Sequence, residues 1–159
     1  ANGSLEEAFG TGTAIGMLTI TKNIARHNLM ACLMVPVIRH AETLDINGLA
    51  NEVTRLANAA RDGSITREEL TGSTITLSSL GRMGGVVSTP VINSPEVAIV
   101  GVNKIAVRPV YQDGSFVPRK IMNLSSSFDH RIVDGWDAAE FIQRIRMLLE
   151  NPATLFMER

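Results

Sequence analysis

The stretch SSSFDHRIVDGWDAAEF, residues 125 to 141, has an extended pattern in its first part and a helical pattern in its last part. Its small hydroxyl-bearing residues continue an extended segment, its end has a helical pattern, and His130 lies in the turn between them. Loops at strand ends often carry catalytic side chains, because a rigid scaffold aims them. An imidazole exchanges protons near neutral pH. The stretch therefore predicts a strand, a turn with a candidate catalytic histidine, and a helix.

Two segments have apolar residues at helical spacing. One follows this turn, and the other lies earlier in the chain. The later stripe consists of Ala138, Phe141, Ile142, Ile145, Leu148 and Leu149, and ends near Asn151 and Pro152. In the earlier segment, apolar residues recur on one face from Ile46 to Ala60, and Gly63 stands where a C-terminal cap belongs. The sequence thus predicts two amphipathic helices.

Short apolar or alternating segments predict the strands. They cover residues 33 to 38, 73 to 80, 97 to 102 and 121 to 128, with a hairpin over 107 to 120. Pro36 indicates an edge strand or a bulge, and Asp113 with Gly114 forms the hairpin turn. Thr66 and Glu69 have the spacing of a capping box, which predicts a short helical turn. Strands that alternate with helices indicate an α/β domain.

The strand over residues 73 to 80, STITLSSL, alternates between apolar and hydroxyl-bearing residues. Successive strand side chains face opposite sides, so the polar set shares one face. That set is Thr74, Thr76 and Ser78, opposite Ile75 and Leu77. Taken alone, the stripe favours a solvated face of a half-exposed strand over a functional one.

Composition narrows the possible functions. The 159 residues, 45% of them hydrophobic, suit one compact domain, and the net charge of −1 favours neither nucleic acid nor an anionic membrane as partner. Cys32 has no cysteine to pair with, and the three histidines lack metal-ligand spacing. GRMGG, residues 81 to 85, lacks the dinucleotide-binding order of glycines and indicates a sharp turn. We expect a metal-free intracellular protein without a membrane span.

His130 on its own is weak support for catalysis, since most single histidines are structural or merely exposed. Asp134, four residues later, has two interpretations. Its carboxylate could orient the histidine loop or ring, or it could begin the following helix, where the helix dipole favours negative charge. Spacing alone leaves both open.

Three segments taken together resemble the catalytic domain of the dihydrolipoyl acyltransferases, the core component of 2-oxo acid dehydrogenase complexes. They are LTGSTITLSSLGRMGG (70 to 85), TPVINSPEVAIVGV (89 to 102) and MNLSSSFDHRIVDG (122 to 135). The DHRxxDG signature of the family is present as Asp129, His130, Arg131, Asp134 and Gly135. The segments VPVIRHAE and NPATLFME are most similar to the branched-chain members. The resemblance extends from Leu33 to the C-terminus.

The resemblance implies acyl transfer between dihydrolipoamide and coenzyme A. In the family, the histidine at the position of His130 is the general base that takes the thiol proton, and the hydroxyl at the position of Ser78 stabilises the tetrahedral oxyanion. Asp134 matches the residue that organises the histidine loop, and Asp129, Arg131 and Gly135 match its support. No covalent acyl-enzyme is required, because both thiols occupy the site together.

The resemblance also implies a chloramphenicol-acetyltransferase-like two-layer fold, with a mixed β-sheet packed by helices. Three copies surround a threefold axis, each site is shared by two copies, and trimers assemble into larger cubic cores. Lipoamide arrives on a separate lipoyl domain, no metal takes part, and the partners are the decarboxylase and dihydrolipoyl dehydrogenase components. Neither nucleic acid nor membrane is a partner. The expected location is the bacterial cytoplasm or the mitochondrial matrix.

The N-terminal residues depart from the family pattern. Residues 1 to 32 match it poorly, as a truncated or appended segment would, and we place the catalytic domain at 33 to 159. A strand around Ile24 and Ala25 is the one family feature expected there. Met30 and Cys32 suit a core, and His27 and His40 have no assigned role. Because the family's catalytic domains are longer, the chain is expected to be partial or shortened.

Two other functions stay open from the sequence. One is a non-catalytic trimeric scaffold, which intact His130 and Ser78 disfavour. The other is a free-standing coenzyme A-dependent acetyltransferase, which the glycine-rich residues after Ser78 disfavour.

Overall fold

A computed structural model describes residues 15 to 19, 34 to 81 and 84 to 157. Its elements are β1 (Ile15–Thr19), β2 (Val37–Ile38), α1 (Ile46–Asp62), β3 (Ile75–Ser79), β4 (Ala98–Val102), β5 (Ala106–Gln112), β6 (Ser115–Ile121), β7 (Leu124–Phe128) and α2 (Gly135–Glu150). Short 3-10 turns cover Ala41–Thr43, Glu68–Leu70 and Pro152–Phe156.

Five strands form one mixed sheet in the order β2-β1-β3-β4-β7. The three central strands β1, β3 and β4 are parallel, whereas β2 and β7 run antiparallel to their neighbours at the two edges. The strands β5 and β6 form a separate antiparallel hairpin. The predicted α/β class with a mixed sheet is therefore confirmed.

The helix α1 begins and ends where its sequence signals place it. The Asp45 carboxylate accepts a hydrogen bond from the Gly48 amide at 2.6 Å, which satisfies a donor that the first turn leaves free. Gly63 ends the helix with φ of +78°, a conformation that glycine adopts without a steric cost. Leu56 is fully buried against Ile38 of β2 and fixes the helix to that edge of the sheet.

The helix α2 covers the sheet over β3, β4 and β7. Its residues Phe141 and Ile142 pack on a buried cluster formed by Ile75, Ala98 and Val100. Phe141 also meets Phe128 edge to face, with ring centroids 6.1 Å apart, a geometry that aromatic pairs favour. The predicted apolar stripe is thus the packing face, although its last member, Leu149, is exposed.

Two local predictions are confirmed in detail. The hairpin turns at Asp113 and Gly114, whose φ angles of +49° and +84° match a turn that requires positive φ at both positions. In the capping box, the Thr66 amide donates to a Glu69 carboxylate oxygen at 2.9 Å, and the Glu69 amide donates to the Thr66 hydroxyl at 3.3 Å.

Other strand predictions needed correction. The strand predicted over 33 to 38 is reduced to Val37–Ile38, because it lies at the sheet edge directly after Pro36. The strand predicted over 121 to 128 begins only at Leu124, since Ile121 pairs within the hairpin. The strand β1 was not predicted from the sequence, although it lies inside the sheet.

Several N-terminal expectations cannot be compared with the structure. Ile24, Ala25, His27, Met30 and Cys32 lie outside the described residues.

Gly101 in β4 lies where another segment crosses the sheet closely. A Cβ atom there would come within 2.8 Å of the Ser88 hydroxyl and 3.3 Å of the Ser125 carbonyl oxygen. Its neighbour Val100 faces α2, and strand side chains alternate, so Gly101 faces the opposite side. The segment around Ser88 and Pro90 therefore rests directly on the backbone of β4.

We expect Gly101→Ala to lower the free energy of unfolding by ~1 to 3 kcal/mol, because the added methyl group forces the crossing segment away from the sheet. Urea denaturation followed by circular dichroism measures the change. Gly135→Ala is the control, since no atom lies within 4 Å of a Cβ at Gly135. Equal unfolding midpoints for the two variants would contradict the close approach at Gly101.

Candidate active site

His130 is an exposed residue in the turn between β7 and α2. The preceding residue, Asp129, still pairs with the sheet through its amide, which donates to the Val97 carbonyl at 2.8 Å. The turn then closes on the Asp129 carbonyl, which accepts from the amides of Ile132 and Val133. Since Val133 is buried, the loop is anchored on both sides of an imidazole that faces solvent.

An ion pair spans the histidine. The Asp129 carboxylate accepts hydrogen bonds from the Arg131 guanidinium, at 2.9 Å from Nε and 2.5 Å from Nη2, and from the Arg131 amide at 3.1 Å. Arg131 thereby lowers the pKa of Asp129 to about 2, and the carboxylate raises the pKa of Arg131. These contacts restrict the backbone on either side of His130.

Asp134 begins the helix α2. One oxygen of its carboxylate accepts from the amides of Trp136 at 2.8 Å and Asp137 at 2.9 Å. This is the helix-terminal alternative, and it fixes the end of the histidine loop rather than the imidazole ring. Gly135, the last residue of the signature, is the first residue of that helix.

Ser78 lies near the C-terminal end of β3 and is half buried. It pairs with Gly101 of β4, which in turn pairs with Ser125 of β7. After the strand, the Gly81 amide donates to the Ser79 hydroxyl at 3.2 Å, and the Gly84 amide donates to the Gly81 carbonyl at 3.1 Å. Gly81 and Gly84 therefore form the two ends of the predicted turn, which begins shortly after β3 ends at Ser79.

The solvated-face interpretation of the hydroxyl stripe is wrong at Thr76. That residue is only 2% exposed, and its hydroxyl oxygen has no hydrogen-bond partner among the described residues, whereas Leu77 of the other face is 36% exposed. Thr76 is covered because β3 lies inside the sheet and both of its faces are packed at that end. Towards Ser78 the packing becomes looser.

A polar layer beside Ser78 was missed from the sequence. The buried Asn103 side chain donates to the Asn123 carbonyl at 3.0 Å and to the Ser125 hydroxyl at 2.9 Å, and this hydroxyl accepts from the Ser88 amide at 3.1 Å. Asn123 in turn donates to the Val86 carbonyl at 2.9 Å. The available signal was an asparagine placed directly after a fully apolar strand, where a buried amide needs partners.

Ser78 and His130 are not brought together within one chain. The Cα atoms of Ser78 and Ser125 are two strand spacings apart across the sheet, which is about 10 Å. From Ser125 to Phe128 the chain advances about 10 Å along β7, perpendicular to the first distance. The Cα atoms of Ser78 and Phe128 are therefore about 14 Å apart, and Asp129 continues in the same direction along the sheet. The two predicted catalytic residues lie at opposite ends of the sheet, too far apart for a hydrogen bond.

The described residues contain no group of three or more histidine, cysteine or acidic side chains that could hold a metal ion. Within the same ranges, no helix is long and apolar enough to cross a membrane.

The model of the 2-oxoacid dehydrogenases acyltransferase family (catalytic domain) matches residues 24 to 157. This chain belongs to that family. The match begins before residue 33, where the sequence placed the start of the domain.

Among curated relatives, the lipoamide acyltransferase component of the branched-chain α-keto acid dehydrogenase complex of Pseudomonas aeruginosa is 70% identical over 126 residues. The dihydrolipoyllysine-residue acetyltransferase component of the pyruvate dehydrogenase complex of Staphylococcus epidermidis is 46% identical over the same length. In both comparisons the aligned part is 79% of this chain and 29% of the relative. The chain thus spans about three tenths of the length of these relatives.

Solved structures share the fold. The Azotobacter vinelandii dihydrolipoamide acetyltransferase superposes with a TM-score of 0.82 at 37% identity, covering 92% of this chain and 57% of that one. The cubic core of a pyruvate dehydrogenase multienzyme complex gives 0.78 at 38% identity, covering 88% and 54%. These neighbours are acyltransferase cores, in agreement with the predicted fold.

The A. vinelandii structure was solved to investigate one serine, one histidine and one asparagine in the catalytic mechanism of that protein. In that protein, the serine lies 52 positions before the histidine and the asparagine four positions after it. Ser78, His130 and Asp134 have the same two separations in this chain. Asn and Asp are similarly effective at beginning a helix, so either residue suits the capping position that Asp134 occupies.

The Asp129 carboxyl should titrate with a pKa of about 2 in the folded chain and return towards the ordinary value of about 3.9 in Arg131→Gln. Since the folded-state pKa is the lower one, the pair stabilises the fold above about pH 4 and loses this effect as the pH falls towards 2. NMR titration of the side-chain carboxyl carbons measures both values. The matched control is Arg61→Gln, which leaves the Asp129 pair intact. An unchanged Asp129 pKa in Arg131→Gln would contradict the proposed cause.

Proposed function

We propose that this chain carries the catalytic residues for acyl transfer between dihydrolipoamide and coenzyme A, in the core of a branched-chain 2-oxo acid dehydrogenase complex. The spacing of Ser78, His130 and Asp134, shared with residues studied in the A. vinelandii acetyltransferase, is the observation that carries the proposal. The 70% identity to a branched-chain lipoamide acyltransferase component supports the branched-chain assignment. It also favours this function over a free-standing acetyltransferase.

His130 acts as the general base. A thiol with a pKa near 8.5 is mostly protonated at neutral pH, and only the thiolate is a strong nucleophile. In the direction of acyl-coenzyme A synthesis, the imidazole takes the proton of the coenzyme A thiol while the sulfur attacks the thioester carbonyl of acyl-dihydrolipoamide. Collapse of the tetrahedral intermediate breaks the bond to the dihydrolipoamide sulfur, which receives the proton from the imidazolium. Atoms and charge therefore balance without a covalent enzyme intermediate.

Ser78 stabilises the intermediate. Its hydroxyl donates a hydrogen bond to the oxyanion, an interaction that contributes ~3 to 4 kcal/mol per donor in a desolvated site. The half-buried position near the end of β3 suits this role, because pairing with β1 and β4 fixes the backbone that carries the hydroxyl. Asp129, Arg131 and Asp134 position His130 through the loop backbone and touch no substrate.

A complete site needs two copies of the chain. Ser78 and His130 lie at opposite ends of one sheet, so we infer that each site combines His130 of one copy with Ser78 of the next. A head-to-tail interface closes into a ring when the rotation between copies is an exact fraction of a full turn, and a homotrimer is the proposed ring. The similarity to a cubic core supports assembly of such trimers into a larger core.

The remaining components are expected from the same function. Dihydrolipoamide is carried on a separate lipoyl domain, and the decarboxylase and dihydrolipoyl dehydrogenase components act with the core. Coenzyme A is a substrate, and no step of the proposed reaction uses a metal. The site of action is the bacterial cytoplasm or the mitochondrial matrix, of which the bacterial relatives favour the first.

Replacement of the base tests the chemistry. His130→Asn should lower turnover by ~10² to 10⁴ with nearly unchanged coenzyme A affinity, because a general base acts on the barrier more than on binding. A spectrophotometric thioester assay with acyl-coenzyme A and dihydrolipoamide measures both. His40→Asn is the matched control, since His40 is exposed and has positive φ, which asparagine tolerates. Wild-type turnover in His130→Asn would remove the assignment.

Replacement of the oxyanion donor is a second test. Ser78→Ala should lower turnover by ~10² to 10³ with little effect on substrate binding. Ser79→Ala, at the adjacent exposed position of the same strand, should retain turnover. If both variants lose activity and secondary structure together, Ser78 has a structural role instead.

Mixing the two inactive variants tests the shared site. The His130→Asn and Ser78→Ala chains are unfolded, combined in equal amounts and refolded. In a head-to-tail ring, random mixing then gives about one quarter of the interfaces both the wild-type histidine and the wild-type serine. Activity should recover to about that fraction of the wild-type value, measured by the same assay. Sites contained within one chain predict no recovery. Mixed trimers without activity would therefore reject the shared site.

A further inference from the structure

We propose that exposed apolar side chains beside His130 of one copy pack on exposed apolar side chains beside Ser78 of the next copy, with Trp136 as the anchor of this contact. The inference rests on the proposed function, because it specifies how the two halves of the active site meet. The first surface, called the histidine-side patch, consists of Ile132 and Trp136. The second, called the serine-side patch, consists of Leu80, Val86 and Val87.

The histidine-side patch directly follows the candidate base. Trp136 is 79% exposed and Ile132 is 56% exposed, although both are large apolar residues that gain free energy when they leave water. The Trp136 amide is held by the Asp134 carboxylate at 2.8 Å, so the first turn of α2 presents the indole from a fixed backbone. Aromatic side chains on a rigid element are typical anchors of protein interfaces.

The serine-side patch lies at the other end of the sheet. Leu80 directly follows β3, and a Cβ at Gly84 would lie 3.3 Å from the Leu80 Cβ, so the chain folds back beside it. The Val87 side chain is 69% exposed. The backbone beside it is fixed, because the Val86 carbonyl accepts a hydrogen bond from the Asn123 side chain at 2.9 Å. The patch is therefore built on a backbone tied to the sheet.

The location of the two patches indicates a second copy as the occupant. Each patch adjoins one half of a catalytic pair that the sheet keeps at its opposite ends, so completing a site brings the histidine-side patch of one copy to the serine-side patch of the next. The two surfaces differ, as a head-to-tail interface requires.

Charge supports the same pairing. Glu140 is exposed one helical turn after Trp136 and shares its face of α2. Lys104 is exposed beside the serine-side patch, where its amide donates to the Gly85 carbonyl at 3.2 Å. Opposite charges at the rim of an interface favour correct docking.

Trp136 is the only tryptophan of the chain, so its fluorescence reports this one position. In the assembled protein we expect blue-shifted emission and weaker acrylamide quenching than in the urea-unfolded chain, because the neighbouring copy covers the indole. Emission should shift to the red when dilution separates the copies, while circular dichroism remains native. A native protein that stays monomeric, or an assembled one in which acrylamide quenches Trp136 as strongly as in urea, overturns the inference. A shift caused by desulfo-coenzyme A and not by assembly also overturns it.

Variants measure the contribution of the contact. Trp136→Ala should weaken association by about 30-fold or more, as expected for a buried aromatic anchor, and Leu80→Ser should also weaken it. Ile46→Ala is the control, because Ile46 is exposed but lies in neither patch. Sedimentation velocity over a dilution series gives the association constants. Native circular dichroism of each variant excludes misfolding, and unchanged association of Trp136→Ala contradicts the proposal.

A charge exchange tests the pairing itself. Glu140→Lys and Lys104→Glu should each weaken association, and the double variant should recover it, which a purely structural role of either residue does not predict. No recovery rejects this pairing of surfaces. The association of copies is measured separately from activity. If Trp136 is buried in the assembled protein but acyl transfer is absent, only the proposed function is contradicted. If active trimers leave Trp136 exposed, only this inference is contradicted.

Discussion

The direction of β7 relative to β3 and β4 is the constraint on which the rest of the structure depends. The strands β3 and β4 are parallel, and β7 is antiparallel to them, so β3 ends where β7 begins. Ser78 at the end of β3 and His130 after the end of β7 must therefore lie at opposite ends of the sheet. Backbone pairing alone sets this separation, and no side-chain rotamer can close it.

The two halves of the candidate site are held by different means. His130 is in an exposed turn, and short-range contacts fix it: the ion pair of Asp129 with Arg131 and the helix cap of Asp134. Ser78 is fixed by the pairing of β3 with a strand on each side. A general base gains from access to solvent and substrate, whereas an oxyanion donor gains from rigidity, because preorganised donors need no rearrangement during the reaction.

The crossing segment near Ser88 connects this local chemistry to the fold. Gly101 lets the segment contact the β4 backbone, and the buried Asn103 amide ties β7 to it through the Ser125 hydroxyl. Buried polar groups that are fully hydrogen-bonded specify one arrangement of their neighbours. Precise placement of residues 86 to 88 shapes the surface beside Ser78 that a second copy would meet.

Local features were predictable from the sequence because neighbouring residues determine them. The end of α1 at Gly63, the capping box of Thr66, the turn at Asp113 and the cap at Asp134 each depend on contacts within a few residues. The strand β1, the burial of Thr76 and the network of Asn103 depend on strands that are distant in the chain. The hydrophobic periodicity of a segment does not indicate which distant strands it will pair with. Family motifs identified Ser78 and His130 and implied a site shared by two copies, whereas only the tertiary structure showed which strand pairing holds the two residues at opposite ends of one sheet. The physical reason is that strand order and direction arise from long-range pairing, whereas sequence patterns report local conformation.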